Sequence, residues 1–186
     1  MSAARTAVKR YEEPRAHALR NRYLATFGGD EIPVPVEAIA EDLLGLRVEE
    51  SWETECSGML LPAERKIVLN AAEAPRDEAP LRRFRFTIAH EVGHWVCHVL
   101  GAERPAAMYC RARDLSEDAD RALEREANVF AAELLMPEPD VRRAFAAAGS
   151  VPDVAARFAV SAEAMHWRLY NFGLVERPDA AEHGAA

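Results

Sequence analysis

Two histidines with a glutamate beside the first of them form the segment of this sequence best suited to chemistry, His90-Glu91-Val92-Gly93-His94. Residues four apart on a helix lie on the same side, one turn above each other, so both imidazoles can reach a single Zn²⁺. The glutamate can then accept a proton from the water that the metal activates. The pattern predicts His90 and His94 as zinc ligands and Glu91 as the catalytic base. The alternative is a solvated helix face.

A catalytic zinc site needs a third protein ligand and an open position for water. Glu124 is the best candidate, because it shares one face of the second long helical segment with residues that allow close packing: Ala127, Asn128, Ala131 and Leu135. A carboxylate on such an inner face needs a partner, since leaving it buried and unpaired costs several kcal/mol. We therefore predict Glu124 as the third ligand and Asn128 as a hydrogen-bond partner of a ligand. Glu126 and Glu133 point the other way, and an ion pair between Glu124 and Arg121 is the alternative.

Two further residues are candidates for supporting roles. His98 stands about 12 Å of helix rise from His90, which is too far for both to bind one metal ion. We expect it to contact a ligand from outside or to place a positive charge at the end of the helix, and a purely structural histidine is the alternative. When a zinc-activated water attacks a carbonyl, the developing oxyanion needs a second stabilising group. His98 and Tyr109 are candidates for this role, and a structural histidine and a surface aromatic are the respective alternatives. The remaining histidines have no predicted metal role: His17, His166 and His183.

The period of the apolar residues predicts the elements that position these side chains. Helical spacing predicts long helices over residues 81–100 and 117–136, which carry the two halves of the site. Short apolar runs on both sides of a turn predict a β-hairpin of residues 58–61 and 66–69, whose first strand we expect to offer a free edge to an extended substrate. The other predicted elements are helices at 14–26 and 36–44, a strand around Leu46 and Val48, and three short helices within 141–175, with breaks at 149–152 and 160–161.

Composition narrows the class of protein. The 186 residues include 23 Lys and Arg against 31 Asp and Glu, and this net charge of −8 disfavours a dedicated nucleic-acid binder. The sequence has neither the apolar core of a signal peptide nor a run of about 18 apolar residues, so we expect a soluble cytoplasmic protein with no membrane contact. Its three cysteines, Cys56, Cys97 and Cys110, form no Cys-x-x-Cys pair, and we expect them to be thiols in a reducing compartment.

Residues 83–94 and 124–137 resemble the ImmA/IrrE family of metallopeptidases, within the gluzincin group that includes thermolysin. The hairpin around residues 57–59 and the ending at 160–174 are also similar, so the likeness covers residues 35–175. The resemblance implies one Zn²⁺ per chain, held by His90, His94 and Glu124, with Glu91 as catalytic base. It also implies the substrate, a helix-turn-helix (XRE-type) transcriptional repressor, which such peptidases cleave to release stress-response, phage or mobile-element genes.

We therefore predict an α+β, zincin-like metallopeptidase fold with a small antiparallel sheet or hairpin, two metal-bearing helices and a C-terminal helical subdomain. The core and the N-terminal helices take residues 1–140. A helix-turn-helix-like subdomain packed on the core takes residues 141–176, and residues 177–186 form a flexible tail.

Two other functions stay open. The first is an adaptor that keeps zinc and binds the repressor without cleaving it, since a ligand set does not establish turnover. The second is DNA binding by the two helices on either side of residues 160–161. The second of these helices offers Arg168 but also Glu163, and the acidic chain attracts phosphate weakly. We expect this region to pack on the core or to dock the repressor, without direct nucleic-acid contact.

Overall fold

The computed structural model describes residues 13–29, 32–73, 79–103, 106, 108–110 and 118–178. The helices are α1 (Pro14–Phe27), α2 (Val36–Ala38, continued by a π-helical turn, Ile39–Leu43), α3 (Ala79–His94, continued by a π-helical turn, Trp95–Val99), α4 (Asp118–Leu135), α5 (Glu138–Ala148), α6 (Val151–Phe158) and α7 (Ala162–Asn171). The strands are β1 (Arg47–Ser51), β2 (Gly58–Leu61), β3 (Lys66–Asn70) and β4 (Tyr109–Cys110), and a 3₁₀ turn (Ala71–Glu73) follows β3. The α+β prediction is confirmed.

The sheet has the strand order β1-β3-β2-β4. The predicted hairpin is present, with β2 antiparallel to β3 and Leu60 opposite Ile67. The sheet is mixed, because β1 runs parallel to β3. On its other side β2 pairs with β4, Leu60 opposite Tyr109, so the prediction that β2 offers a free edge is wrong. A strand of two residues has no period to reveal it in the sequence.

The core lies between this sheet, α3 and α4. Period-2 burial in β2 and helical burial in α3 and α4 turn the apolar side chains toward one another, as the amphipathic patterns require. The residues at the centre are fully buried: Leu60, Ile67, Ile88, Val92, Phe130 and Leu134. α1 packs on α4 and adds its buried apolar side chains to this core.

Gly93 controls how closely α3 and α4 approach each other. A Cβ atom at this position would lie 3.1 Å from both the Cα and the carbonyl oxygen of Ala127, and 3.3 Å from the Cβ of Phe130. Carbon atoms prefer separations of about 3.5–4.0 Å, so a larger residue would push the helices apart. The bare backbone of Gly93 therefore places the first half of α4 against the histidine-bearing part of α3.

The C-terminal helices break where the sequence predicts. α5 ends at Ala148 and is capped by Gly149, whose φ of 72° is the left-handed conformation that glycine adopts easily. The next two helices start at serine caps, in which Ser150 Oγ accepts from the Asp153 N–H and Ser161 Oγ from the Ala164 N–H. α5 begins at Glu138, earlier than the predicted residue 141, because a proline in its first turn needs no N–H partner.

A buried arginine fastens these helices to the core. Arg168 of α7 is 7 % exposed, donates from Nε to the Met136 carbonyl at 2.9 Å, and places Nη2 2.7 Å from Glu133 Oε1. His17 of α1 lies 3.1 Å from the other oxygen of the same carboxylate. Glu133 therefore links α4 to both α1 and α7. The division into a core and a subdomain stays a prediction, and most of the predicted tail, residues 179–186, lies outside the described residues.

The cysteines differ from the sequence prediction. Cys56 is disulfide-bonded, whereas Cys97 is a free thiol. The expectation of three thiols is therefore wrong for Cys56, because a contact made by folding leaves no spacing signature in the sequence. The side chain of Cys110 is outside the described part of the chain. Among the helices described, none combines the length and apolar character that crossing a membrane requires.

Candidate metal centre

Three side chains from two helices meet where α3 lies against α4. His90 Nε2 is 3.1 Å from Glu124 Oε2, and His94 Nε2 is 2.9 Å from Glu124 Oε1. The two Nε2 atoms are 3.1 Å from each other. The four-residue spacing on α3 aligns the imidazoles, and the close helix approach at Gly93 brings the carboxylate to them. The structure thus brings together the three residues that the sequence predicts as ligands.

These separations fit the ligand set of one metal ion. Ligands bound tetrahedrally at about 2.0–2.1 Å lie about 3.3 Å from one another. Asn128 Oδ1 lies 3.1 Å from His90 Nδ1 and can only accept, so Nδ1 carries a proton. His90 Nε2 faces Glu124, where it meets the carboxylate through a second proton in the metal-free protein and offers its lone pair when a metal ion is bound. Lone pairs at this distance repel unless a proton or a metal ion lies between them. Two imidazoles and one carboxylate form a common donor set for catalytic zinc.

Burial makes this cluster electrostatically strong. His90 and His94 are 0 % and 1 % exposed, and the Glu124 side chain is 14 % exposed. Burial raises the pKa of the Glu124 carboxyl, but the hydrogen bonds with His90 and His94 outweigh burial and lower that pKa to about 2. The carboxylate is therefore ionised throughout the neutral range, as a metal ligand must be. Its exposed part marks the side on which solvent reaches the cluster.

Glu91 lies between the two histidines in α3 and is fully buried. The backbone of β2 lies directly against it, because a Cβ at Gly58 would come within 3.0 Å of Glu91 Oε1 and 2.3 Å of Thr87 Cγ2. Real Cβ atoms essentially never lie as close to another atom as 2.3 Å, so only glycine fits here without a shift of its neighbours. Gly58 therefore helps to define where the carboxylate lies. The sequence shows Gly58 only as part of a hairpin and does not reveal this contact.

His98 contacts a ligand histidine from outside the cluster. Its Nδ1 lies 3.0 Å from His94 Nδ1, and its Nε2 lies 3.2 Å from Glu126 Oε2. Burial lowers the pKa of His98 more than the hydrogen bond with Glu126 raises it, so the imidazole is neutral at physiological pH. Both Asn128 and His98 thus lie at the outer nitrogens of the two histidines, where the sequence analysis expects supporting residues.

Tyr109 covers the same histidines with its ring. Its ring centroid lies 4.9 Å from that of His94 and 5.9 Å from that of His98, stacked in both cases. The hydroxyl donates to the His98 carbonyl at 3.3 Å and accepts from the Ala106 N–H. Because its proton is committed to the backbone, oxyanion stabilisation by Tyr109 requires the side chain to move, and that role stays a prediction.

Comparison with known protein families matches residues 65–170 to the IrrE N-terminal-like domain, Peptidase M78. The match spans more than half of the chain and includes β3, both helices of the metal cluster and α5 to α7. The chain belongs to this family. Membership confirms the resemblance seen in the sequence and implies a metal, in agreement with the donor set described above. No curated protein matches the chain.

A second group of potential ligands lies beside the first, where α1 meets α4. Glu13, Cys97 and Glu126 bring their ligand atoms within 4.8 Å of one another. Arg15 already joins the two carboxylates, with Nε 2.7 Å from Glu13 Oε1 and Nη2 hydrogen-bonded to Glu126. Burial raises the pKa of the Cys97 thiol to about 12, so at neutral pH it lacks the thiolate form that binds metals. We assign no metal to this group.

The structure places the other singled-out residues away from the metal cluster. His17 pairs with Glu133, His166 Nε2 lies 3.0 Å from the Glu176 carbonyl, and His183 is outside the described residues. Glu126 faces away from the cluster, as its helical phase predicts, yet it contacts His98 and Arg15. The sequence does not reveal these contacts, because helical phase gives the direction of a side chain without showing which distant segment it meets.

Proposed function

We propose that this protein is a zinc-dependent endopeptidase in which His90, His94 and Glu124 hold the metal and Glu91 is the catalytic base. The proposal rests on one observation: ligand atoms from α3 and α4 converge within about 3 Å, next to the buried Glu91. Two histidines and one carboxylate form a ligand set typical of catalytic zinc rather than structural zinc. Membership of a metallopeptidase family supports the same conclusion.

A zinc ion at this site supplies Lewis-acid polarisation of the scissile carbonyl and lowers the pKa of the attacking water. Glu91 accepts the proton of that water and returns it to the amine that leaves. Its burial suits this task, since a carboxylate in a site from which water is excluded interacts more strongly with the reacting groups. Asn128 holds the His90 ring by accepting from Nδ1, which keeps Nε2 directed toward the metal.

The proposed substrate is a helix-turn-helix repressor of the XRE type in the cytoplasm, and the consequence of cleavage is release of stress-response or mobile-element genes. The support for this substrate is the resemblance to the ImmA/IrrE family, in which such repressors are the usual targets. Direct DNA contact is not part of the proposal. Arg168, the basic residue of the second helix of the C-terminal pair, is buried and paired with Glu133.

The test compares the wild-type protein with Glu91→Gln. Each is incubated with a candidate helix-turn-helix repressor of the XRE type from the same genome, and zinc content is measured on the same samples. We expect about one zinc per chain in both proteins and discrete repressor fragments from the wild type alone, since loss of a general base typically costs at least about 100-fold in rate. Glu138→Gln is the control for a charge change outside the site.

Expression beside the repressor separates cleavage from binding. If Glu91→Gln releases the repressed genes as well as the wild type does while the repressor stays intact, the protein is a zinc-containing adaptor and the peptidase proposal is wrong. If the wild type binds no zinc, the metal site itself is wrong.

A further inference from the structure

A continuous series of polar contacts leads from the metal cluster to α1. His94 Nδ1 lies 3.0 Å from His98 Nδ1, and His98 Nε2 lies 3.2 Å from Glu126 Oε2. Arg15 then hydrogen-bonds Glu126 through Nη2 and pairs with Glu13, with Nε 2.7 Å from Glu13 Oε1. The series joins three helical segments that are distant in sequence.

The protons of this series can be assigned from the chemistry of each group. A histidine that binds a metal through Nε2 carries its proton on Nδ1, so His94 must donate to His98. His98 Nδ1 is then the acceptor, and its proton lies on Nε2. A carboxylate can only accept, so the Glu126 oxygen is a suitable partner for that Nε2–H. Each hydrogen bond therefore points from the ligand outward to the negative charge.

We propose that Glu126, held in place by Arg15, positions the metal ligand His94 through His98. The carboxylate fixes which nitrogen of His98 carries the proton and thereby leaves Nδ1 available to accept from His94. It also fixes the plane of the His98 ring, whose side chain is only 7 % exposed. A histidine held in this way is a stronger metal ligand, because it binds in its correct tautomer and orientation.

The arrangement at the outer end gives Glu126 its fixed position. The Glu126 side chain is 41 % exposed, so burial alone does not hold it. Arg15 bridges it to Glu13, whose side chain is 8 % exposed. Glu126 is thus anchored through Arg15 to a buried residue. It is a positioning residue that does not touch the metal.

The inference rests on the proposed zinc site, and zinc affinity tests it. The metal-free proteins are titrated with Zn²⁺ in competition with a chromogenic chelator, and the cobalt-loaded proteins are compared by visible absorption. We expect Glu126→Ala and His98→Ala to weaken zinc binding by about 10-fold to 100-fold and to change the cobalt spectrum. Glu126→Gln, which keeps an acceptor oxygen, is expected to lie closer to the wild type than Glu126→Ala does.

Glu138→Ala is the matched control, since Glu138 also pairs with an arginine on the protein surface but lies outside the series. The melting temperatures of the metal-free proteins distinguish positioning from a purely structural role. If the role is purely structural, the substitution lowers the melting temperature and leaves the zinc affinity of the folded protein unchanged. If Glu126→Ala does not fold, His98→Ala decides. Wild-type affinity and an unchanged spectrum in the alanine variants overturn the inference, whereas absence of zinc binding by the wild type overturns the proposed function.

Discussion

The close approach of α3 and α4 at Gly93 allows a direct test of how the fold creates the site. In Gly93→Ala the added Cβ meets backbone atoms of Ala127 at 3.1 Å, so the helices must separate by about 0.5 Å to restore ordinary carbon contacts. Metal–ligand distances tolerate only about 0.2 Å. Overpacking of this kind costs about 1–3 kcal/mol. If that strain falls on the zinc-bound state, zinc binding weakens by roughly fivefold to 150-fold.

The assay is zinc competition on metal-free protein, with Gly149→Ala as the matched control. That control also adds one methyl group and costs stability, because Gly149 has a φ of 72°, but nothing lies within 4 Å of its added Cβ. We expect unchanged zinc affinity there. In an open helix Gly→Ala stabilises by about 0.5–1 kcal/mol. A Gly93→Ala protein that is more stable than the wild type and binds zinc as tightly would refute the reasoning.

Three further predictions concern single positions. Glu124→Gln should lose zinc while Glu126→Gln keeps it, as measured by metal analysis, and the reverse result would show that the helical phase is wrong. Gly58→Ala should keep zinc but lose about 100-fold in cleavage rate, since its Cβ displaces the Glu91 carboxylate, and a wild-type rate would contradict this. Because burial raises the pKa of Cys97 to about 12, its thiolate forms only as the pH approaches that value. At pH 8 iodoacetamide should therefore react with Cys97 on the order of a thousandfold more slowly in the native than in the unfolded protein, and equal rates by mass spectrometry would exclude the raised pKa.

Much of the metal cluster could be predicted because its relations are local. His90 and His94 belong to one helix, and 3.6 residues per turn place them on one side whatever surrounds the helix. The same rule selects Glu124 over Glu126 on α4, once a third ligand is required. The breaks at Gly149 and Ser161 are likewise local, since left-handed glycines and serine caps act on their own turn of backbone.

The features that the sequence did not reveal join residues far apart in the chain. β4 pairs with β2 through two residues only, so neither a period nor a turn announces it, and its pairing takes the edge that the hairpin pattern assigned to substrate. The disulfide at Cys56 has no motif. In the sequence Gly58 is an ordinary strand glycine, and its contact with Glu91 exists only because β2 packs against α3.

By itself the sequence determined which side chains can bind a metal and which way each points from its own helix, because backbone geometry repeats over short distances. Only the tertiary structure decided which of them meet. Arg15 and Glu126 are 111 residues apart, yet they share a hydrogen bond that continues through His98 to a metal ligand. Such contacts depend on how α1, α3 and α4 pack around a common core, and packing is a property of all the buried surfaces together rather than of any segment.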